Sequence, residues 1–244
     1  MMNTIITIPA RFDSHRFPGK LCESLYGKPI IQWVVERSRG CSDQVLVLAD
    51  QKMHAFCQHH HLPSVCVDGP FGSGTDRIAH WVRHEEIPDD VLIVNIQGDE
   101  PAVSMNNVCS LIHCMQQSAA PVGTLYHEAV SDQFDSNKVK VVLNHANEAM
   151  YFSRHAIPYS RDEKPVILKL HVGVYAYQAS WLKGWHTLPE SSLSDIESLE
   201  QLRILEAGFR VVCVPCVEPH MHGVDTPEDL IKLENAWSEY SDMC

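Results

Sequence analysis

Residues 3–8, 44–48 and 91–96 are short runs of apolar and β-branched side chains with almost no polar alternation. Such a run has no face to give to water, so each is read as a strand buried on both sides, as in a parallel sheet covered by helices. Between them, apolar positions fall at helical spacing. Ile30, Ile31, Val34 and Val35 do so within residues 29–39, and residues 75–86 alternate apolar and charged side chains in the same way. Pro29 suits a first helical turn, and residues 64–67 offer a shorter strand. Strand, helix and strand in repetition predict an α/β fold built on a doubly wound, mostly parallel sheet.

The pattern changes after about residue 120. Residues 122–126, 138–143 and 170–177 are strand-like, with no long helix between the last two, which predicts a mixed, partly antiparallel section. Residues 195–207 return to a helix ended by Gly208, and residues 226–237 form one opened by Thr226-Pro227-Glu228-Asp229. No internal repeat, low-complexity tract or linker interrupts the chain, so a single domain over residues 1–244 is expected.

Charge narrows the partners. Nineteen basic against 31 acidic side chains leave a net charge of −12, which repels phosphodiester backbones and anionic membranes. A small polyanionic substrate would need a local basic cluster. No apolar run is long enough to span a bilayer, and the N-terminal run is short, lacks a basic leader and is broken by Pro9. Nine cysteines without framework spacing read as reduced thiols. The expected compartment is the cytoplasm.

A basic cluster follows the first strand. Arg11, Arg16 and Lys20 sit on one short loop, with Ser14 and Gly19 able to let backbone amides approach a ligand. In parallel sheets ligands bind at the carboxyl ends of strands, where these cations could grip triphosphate oxygens; a solvated turn paired with carboxylates is the plain alternative. Residues 69–75 have P-loop glycine spacing but lack the lysine before Thr75, so a kinase-type P-loop is rejected. What remains, Ser73-Gly74-Thr75-Asp76-Arg77, is a glycine-flexed loop opening a helix. It suits a base or ribose, or is a simple turn capped by Ser73 or Thr75. A dinucleotide fingerprint after strand one is absent too. Asp99, following Gln97 and Gly98 at the end of the most apolar strand, is a candidate ligand for a hard Mg²⁺ ion, the glycine leaving room for a ligand. Asp225 precedes a helix and is either a second ligand or that helix's cap, with Thr226 available to cap instead.

Together these segments resemble the 3-deoxy-D-manno-octulosonate (Kdo) cytidylyltransferases, or CMP-Kdo synthetases. PARFDSHRFPGK, GKPIIQWVVERS, SGTDRI, VNIQGDEP, NKVKVVL, YFSRHAIPYSRD, HVGVYAY, IESLEQLRIL and GVDTPEDL occur in the family's order and cover nearly the whole chain. The resemblance implies a nucleotide-diphospho-sugar transferase-like fold, with a smaller mixed β-containing dimerisation subdomain at about residues 150–185, and a homodimer. It also implies a reaction in which CTP and Kdo give CMP-Kdo and pyrophosphate for lipopolysaccharide biosynthesis. On that reading Lys20, Asp99 and Asp225 are catalytic, and the two aspartates hold Mg²⁺. CTP is met by Arg11, Ser14, Arg16, Lys20, Ser73, Gly74, Arg77 and Gln97. Lys140, Arg154, His171, Tyr175, Glu197 and Gln201 line or adjoin the sugar pocket, with Arg154 taking the sugar carboxylate. No nucleic acid and no membrane is a partner.

The chain departs from the family pattern at Ser14-His15-Arg16, where S-T-R is usual, in a short stretch between Arg161 and His171, and in residues 219–223. These changes open an alternative, a cytidylyltransferase for another sugar acid such as an 8-amino Kdo analogue or a sialic acid. A catalytically silent nucleotide-binding protein and a glycosyltransferase are further readings, separable by whether pyrophosphate is released. Three features carry no chemistry. Cys213 and Cys216 in a strand-like run point to opposite faces, His59-His60-His61 mark a helix end, and Trp33, Trp81, Trp181, Trp185 and Trp237 are packing residues.

Overall fold

The computed structural model describes residues 3–13, 17–130, 135–162, 166–220 and 223–241. β1 (Thr4–Ala10) is followed by a tight hairpin, β2 (Ser24–Leu25) and β3 (Lys28–Pro29), and then by α1 (Ile30–Ser38). The next elements are β4 (Val45–Ala49), α2 (Gln51–His59), β5 (Ser64–Cys66), α3 (Gly74–His84), β6 (Leu92–Asn95) and α4 (Met105–Gln117). The later part supplies β7 (Val122–Ala129), β8 (Lys140–Leu143), β9 (Ala149–Ser153), β10 (Leu168–Gln178), α5 (Ala179–Leu182), α6 (Ser192–Glu197), α7 (Gln201–Glu206), β11 (Val211–Pro215) and α8 (Pro227–Ser241).

One nine-stranded sheet runs through these elements in the order β11-β7-β10-β6-β1-β4-β5, with β8 paired to β10 and β9. β1 is parallel to β4 and β6, β4 to β5, and β11 to β7. The change of pattern after residue 120 is β10, which enters antiparallel between β6 and β7. β8, β9 and the first half of β10 form the mixed section, whereas Tyr175–Gln178 pair with β6 in the main sheet.

Both faces are covered. Ile6, Ile8, Val94, Val174 and Ala176 pack on one side against α1 and α4, while Leu48, Ile93, Tyr175 and Tyr177 pack on the other against α3 and α7. Cys213 is buried in the second core and Cys216 packs on the first, the opposition expected of residues three apart on a strand. α2 starts where the Asp50 side chain accepts from the Met53 amide at 2.8 Å. α3 starts with a reciprocal cap: Ser73 Oγ accepts from the Asp76 amide and the Asp76 carboxylate from the Ser73 amide.

Two expectations are corrected. The helix expected at residues 195–207 is broken in two at Ser198, which adopts left-handed φ 51° and ψ 49°. The break leaves Ile196 in solvent and turns Leu199, Leu202 and Ile204 into the core, which one straight helix in this position would not do. The cysteines are not all reduced thiols: Cys41, just beyond α1, and Cys109 on α4 form a disulfide with Cα atoms 5.8 Å apart. They stand 68 residues apart, so only the packing of α4 brings them together and no local spacing could announce the pair. Cys22, Cys57, Cys66, Cys114, Cys213 and Cys216 are free. α4 itself went unread although Val108, Leu111, Ile112 and Met115 lie at helical spacing and are buried.

Candidate active site

A cleft of about 360 Å³ opens at the carboxyl ends of β1 and β6, where ligands of parallel sheets bind. Arg11 and Lys20 reach it from the first loop, Ser73, Gly74 and Arg77 from the start of α3, Gln97 and Asp99 from the end of β6, and Asp225 from the turn before α8. These eight residues, expected from sequence, meet in one cavity. Ser14 and Arg16, expected in the same group, lie outside the described residues.

Local geometry explains the convergence. Gly19 at φ 73° starts the 3₁₀ turn Lys20–Cys22 and aims Lys20 inward. Asp50, already the cap of α2, also takes the Phe12 amide at 2.7 Å and so ties down the first loop. A Cβ on Gly223 would lie 2.9 Å from the Asp99 carbonyl oxygen. The missing side chain lets the Val224 amide bond that same oxygen at 2.8 Å, which brings Asp225 beside Asp99. Gly98 differs from expectation. A Cβ there would meet Ile31 and Leu21 side-chain carbons at 3.2 Å, so its bareness serves packing against the Lys20 turn, not room for a ligand.

At the centre, the Lys20 ammonium donates to Asp99 Oδ2 and, at 3.0 Å, to Asp225 Oδ1. Burial opposes charging this ammonium, but Asp99 and then Asp225 outweigh it and hold its pKa above the ordinary lysine value. One side of the choice left open for Asp225, the helix cap, is taken by its neighbours. Thr226 Oγ1 accepts from the Asp229 amide at 3.2 Å, and the Asp229 carboxylate accepts from the Thr226 amide at 3.0 Å, so α8 is capped without the Asp225 carboxylate.

No cluster of three or more His, Cys, Asp or Glu side chains able to hold a metal occurs among the described residues. Two carboxylates drawn to one cation suit magnesium nonetheless, because that ion commonly takes one or two protein carboxylates and completes its shell with phosphate and water. Behind the pair, burial first, then Asp99 and Asp225, push the Glu100 carboxyl up to about 8, with Lys20 opposing. Its Oε2 is buried without a hydrogen-bond partner. Nothing in the sequence marks Glu100 as an acid whose ionisation its surroundings oppose.

The six residues expected on the sugar side line no part of this cleft. They gather instead around β8, β9, β10 and the α6–α7 turn. Lys140 is fully buried and donates to the Asp135 and Arg154 carbonyls at 2.5 and 3.0 Å. Arg154 spends its guanidinium on the carbonyls of Glu197, Ser136 and Ser198 at 2.7, 3.0 and 3.1 Å. The Glu197 carboxylate accepts from Ser153 Oγ at 2.6 Å and the Arg154 amide at 2.8 Å. His171 Nε2 meets Thr124 Oγ1 at 3.0 Å, the Tyr175 ring lies 5.3 Å from the His171 ring, and Gln201 is buried at the start of α7.

The chain matches the model of the cytidylyltransferase family over residues 5–212. It is 39% identical to the 3-deoxy-manno-octulosonate cytidylyltransferase of Vibrio parahaemolyticus over 94% of this chain and 96% of that protein. The enzyme of the same description from Syntrophobacter fumaroxidans is 41% identical, over 94% of each chain. This chain belongs to the 3-deoxy-manno-octulosonate cytidylyltransferase family.

A solved structure of CMP:2-keto-3-deoxy-manno-octonic acid synthetase complexed with CTP superposes on this cytidylyltransferase with a TM-score of 0.90 at 36% identity, covering 97% of this chain and 99% of that one. A cytidylyltransferase from Leptospira borgpetersenii shares the fold at a TM-score of 0.64 and 15% identity. No helix among the cytidylyltransferase's described residues is long and apolar enough to cross a membrane. His59 ends α2, His60 follows as its cap, and His61 takes φ 54°, the helix end expected of the triplet. Trp81, Trp185 and Trp237 are buried in the cores.

Burial lowers the His171 pKa from 6.5 to about 3. The unfolded cytidylyltransferase therefore takes up a proton below about pH 6.5 that the folded one refuses, so stability falls as pH drops from 6.5 toward 3 and is unaffected by this group above that window. At pH 5 the loss amounts to roughly 2 kcal/mol. Thermal unfolding of the wild type and of His171→Gln at pH 7 and 5 tests this. The variant should lose about 2 kcal/mol less on acidification, and equal losses would remove His171 as the source.

Proposed function

We propose that this cytidylyltransferase moves CMP from CTP to 3-deoxy-D-manno-octulosonate in the β1–β6 cleft, giving CMP-Kdo and pyrophosphate for lipopolysaccharide assembly. The observation that carries the proposal is the junction of Asp99, Asp225 and Lys20 at the end of β6, in a chain of this family. A nucleophile, a phosphate chain and their counter-charges can share that one point.

The sugar's anomeric hydroxyl attacks the α-phosphorus of CTP, a P–O bond forms to the sugar, and the bond to the β-phosphate breaks with pyrophosphate as leaving group. No covalent enzyme intermediate is required, so the protein's contribution is position and charge. Arg11 and Lys20 hold phosphate oxygens, as would Arg16. Ser73, Gly74, Arg77 and Gln97 flank the nucleotide. Asp99 and Asp225 would hold Mg²⁺, which when bound neutralises phosphate charge and eases deprotonation of the attacking hydroxyl. The Arg77 guanidinium donates to the Val67 carbonyl at 2.8 Å and stands over the Phe71 ring, which holds it at the cleft and supports a place beside the nucleotide. The sugar acid is received between this cleft and the Arg154–His171–Tyr175 region, and for Arg154 to take the sugar carboxylate its carbonyl bonds must be exchanged.

The homodimer proposal has support at the mixed section, where Val130, Met150, Tyr159, Ile167 and Ile196 are more than 60% exposed. A second copy of the chain would cover them. The proposed use of CTP supports a cytoplasmic location.

Pyrophosphate release measured with each nucleoside triphosphate against Kdo, 8-amino Kdo and a sialic acid tests the function. Release with CTP and Kdo at the highest kcat/KM is expected. Preference for another sugar acid would move the assignment to that substrate, and no release with any pair would end it.

A further inference from the structure

Trp185 opens the 3₁₀ turn Trp185–Thr187 between α5 and α6 and is 2% exposed. Its ring packs in the core that α3 covers. The Arg203 guanidinium, fixed by the Leu188 and Pro189 carbonyls at 2.6 and 3.0 Å, stands 4.8 Å over that ring. Packing accounts for the ring but not for the choice of partner made by its nitrogen. An indole N–H can only donate, and any nearby carbonyl would satisfy it. Here it donates to Asp76 Oδ1 at 2.6 Å, across 109 positions of sequence, and Asp76 is the acid that shapes the loop at the start of α3.

The other half of that carboxylate faces the cleft side. Asp76 Oδ2 accepts from the Ser73 amide at 3.1 Å, while Ser73 Oγ accepts from the Asp76 amide at 3.1 Å, and Ser73 and Gly74 line the cleft. A carboxylate is planar, so a donor on Oδ1 fixes the plane in which Oδ2 meets the Ser73 amide. The loop has little room to adjust on its own. A Cβ on Gly72 would come within 3.2 Å of Asp76 Oδ2, and one on Gly74 would meet the Pro9 ring at 2.9 Å. One residue before Asp76, the buried Thr75 places its Oγ1 3.3 Å from the hydroxyl of the buried Tyr177. The first turn of α3 is therefore held at two successive residues by the stretch that runs from the end of β10 to Trp185.

We propose that Trp185 is a positioning residue for nucleotide binding: its indole N–H, acting through Asp76, holds the Ser73–Gly74 turn in the shape that meets CTP, while the ring stays in the core and touches no substrate. This rests on the cleft's being the CTP site. A hydrogen bond to an ionised acceptor is strong enough for its loss to be read as a change in affinity.

The test is CTP affinity by calorimetry together with steady-state kinetics, for wild type, Trp185→Phe, Asp76→Ala and the double variant. Trp185→Phe keeps a ring and removes the donor, and is expected to weaken CTP roughly tenfold, raising KM for CTP more than it lowers kcat. Asp76→Ala leaves the core intact, should weaken CTP at least as much, and remains informative should the phenylalanine variant fold poorly. Once Asp76 is gone, adding Trp185→Phe should cost less than about twofold more, because the interaction it removes is already lost. Equal losses in the two backgrounds, an unchanged affinity in Asp76→Ala, or an unchanged KM with kcat falling in step with the folded fraction would overturn the proposal and leave Trp185 a packing residue. Wild type failing to bind CTP would overturn the site assignment as well, whereas wild-type binding with an unaffected Trp185→Phe would overturn this inference alone.

Discussion

Asp99→Asn is expected to cut kcat/KM for the nucleotidyl transfer by about a thousandfold or more, equivalent to roughly 4 kcal/mol of transition-state stabilisation, with little change in fold. Asparagine has nearly the same shape but can neither carry a charge opposite Lys20 nor offer a cation two anionic oxygens. Stability should survive because the substitution also thins a crowd of acids. Asp99 and Asp225 both disfavour ionisation of Glu100, whose carboxyl is already pushed up to about 8. Pyrophosphate release over a range of Mg²⁺ concentrations, with thermal unfolding as control, measures both halves. A variant rate within tenfold of wild type would show that Asp99 is no part of the reacting centre.

Lys20→Ala should produce the second-largest effect, and a different kind of one. Its ammonium bridges two carboxylates, with side-chain exposures of 13% for the lysine and 25% and 44% for Asp99 and Asp225. Without it the acids face each other uncompensated. Because the partners are partly solvated, the stability cost is discounted to about 1–2 kcal/mol, while loss of the cation proposed to hold phosphate should lower kcat/KM by about a hundredfold or more. If Asp99 and Asp225 hold magnesium as proposed, lysine and the ion would compete for the same oxygens, so Mg²⁺ without nucleotide should raise the Tm of the variant more than that of wild type. Equal rises in the two proteins would mean that the ion binds somewhere else.

How much of this was written in the chain depends on how local each feature is. β1, β4 and β6 were legible because strands buried on both faces cannot hide their apolar runs. α3 was legible through Ser73 and its cap. The joining of Lys20 to Asp225 was not legible from spacing, since the two are 205 positions apart; only the resemblance of whole motifs joined them. Other features depend on tertiary packing and leave no local trace: the burial of Glu100, the anchoring of Arg154 on three carbonyls, the break at Ser198 and the pairing of Cys41 with Cys109. Gly98 shows the limit of reading a glycine by its neighbours, for the space it leaves is filled by Leu21 and Ile31.

The bond from the Val224 amide to the Asp99 carbonyl, made possible by Gly223, has a temporal consequence. A growing chain emerges from the ribosome with its first loop, its α3 loop and Asp99 long before residue 225 is synthesised. Until that late stretch has docked against Gly223's neighbours, Lys20 has only one of its two acidic partners to hold. The complete charge centre therefore waits on residue 225, and a nascent polypeptide stalled short of it would carry most of the cleft yet lack one of the two acids that Lys20 holds.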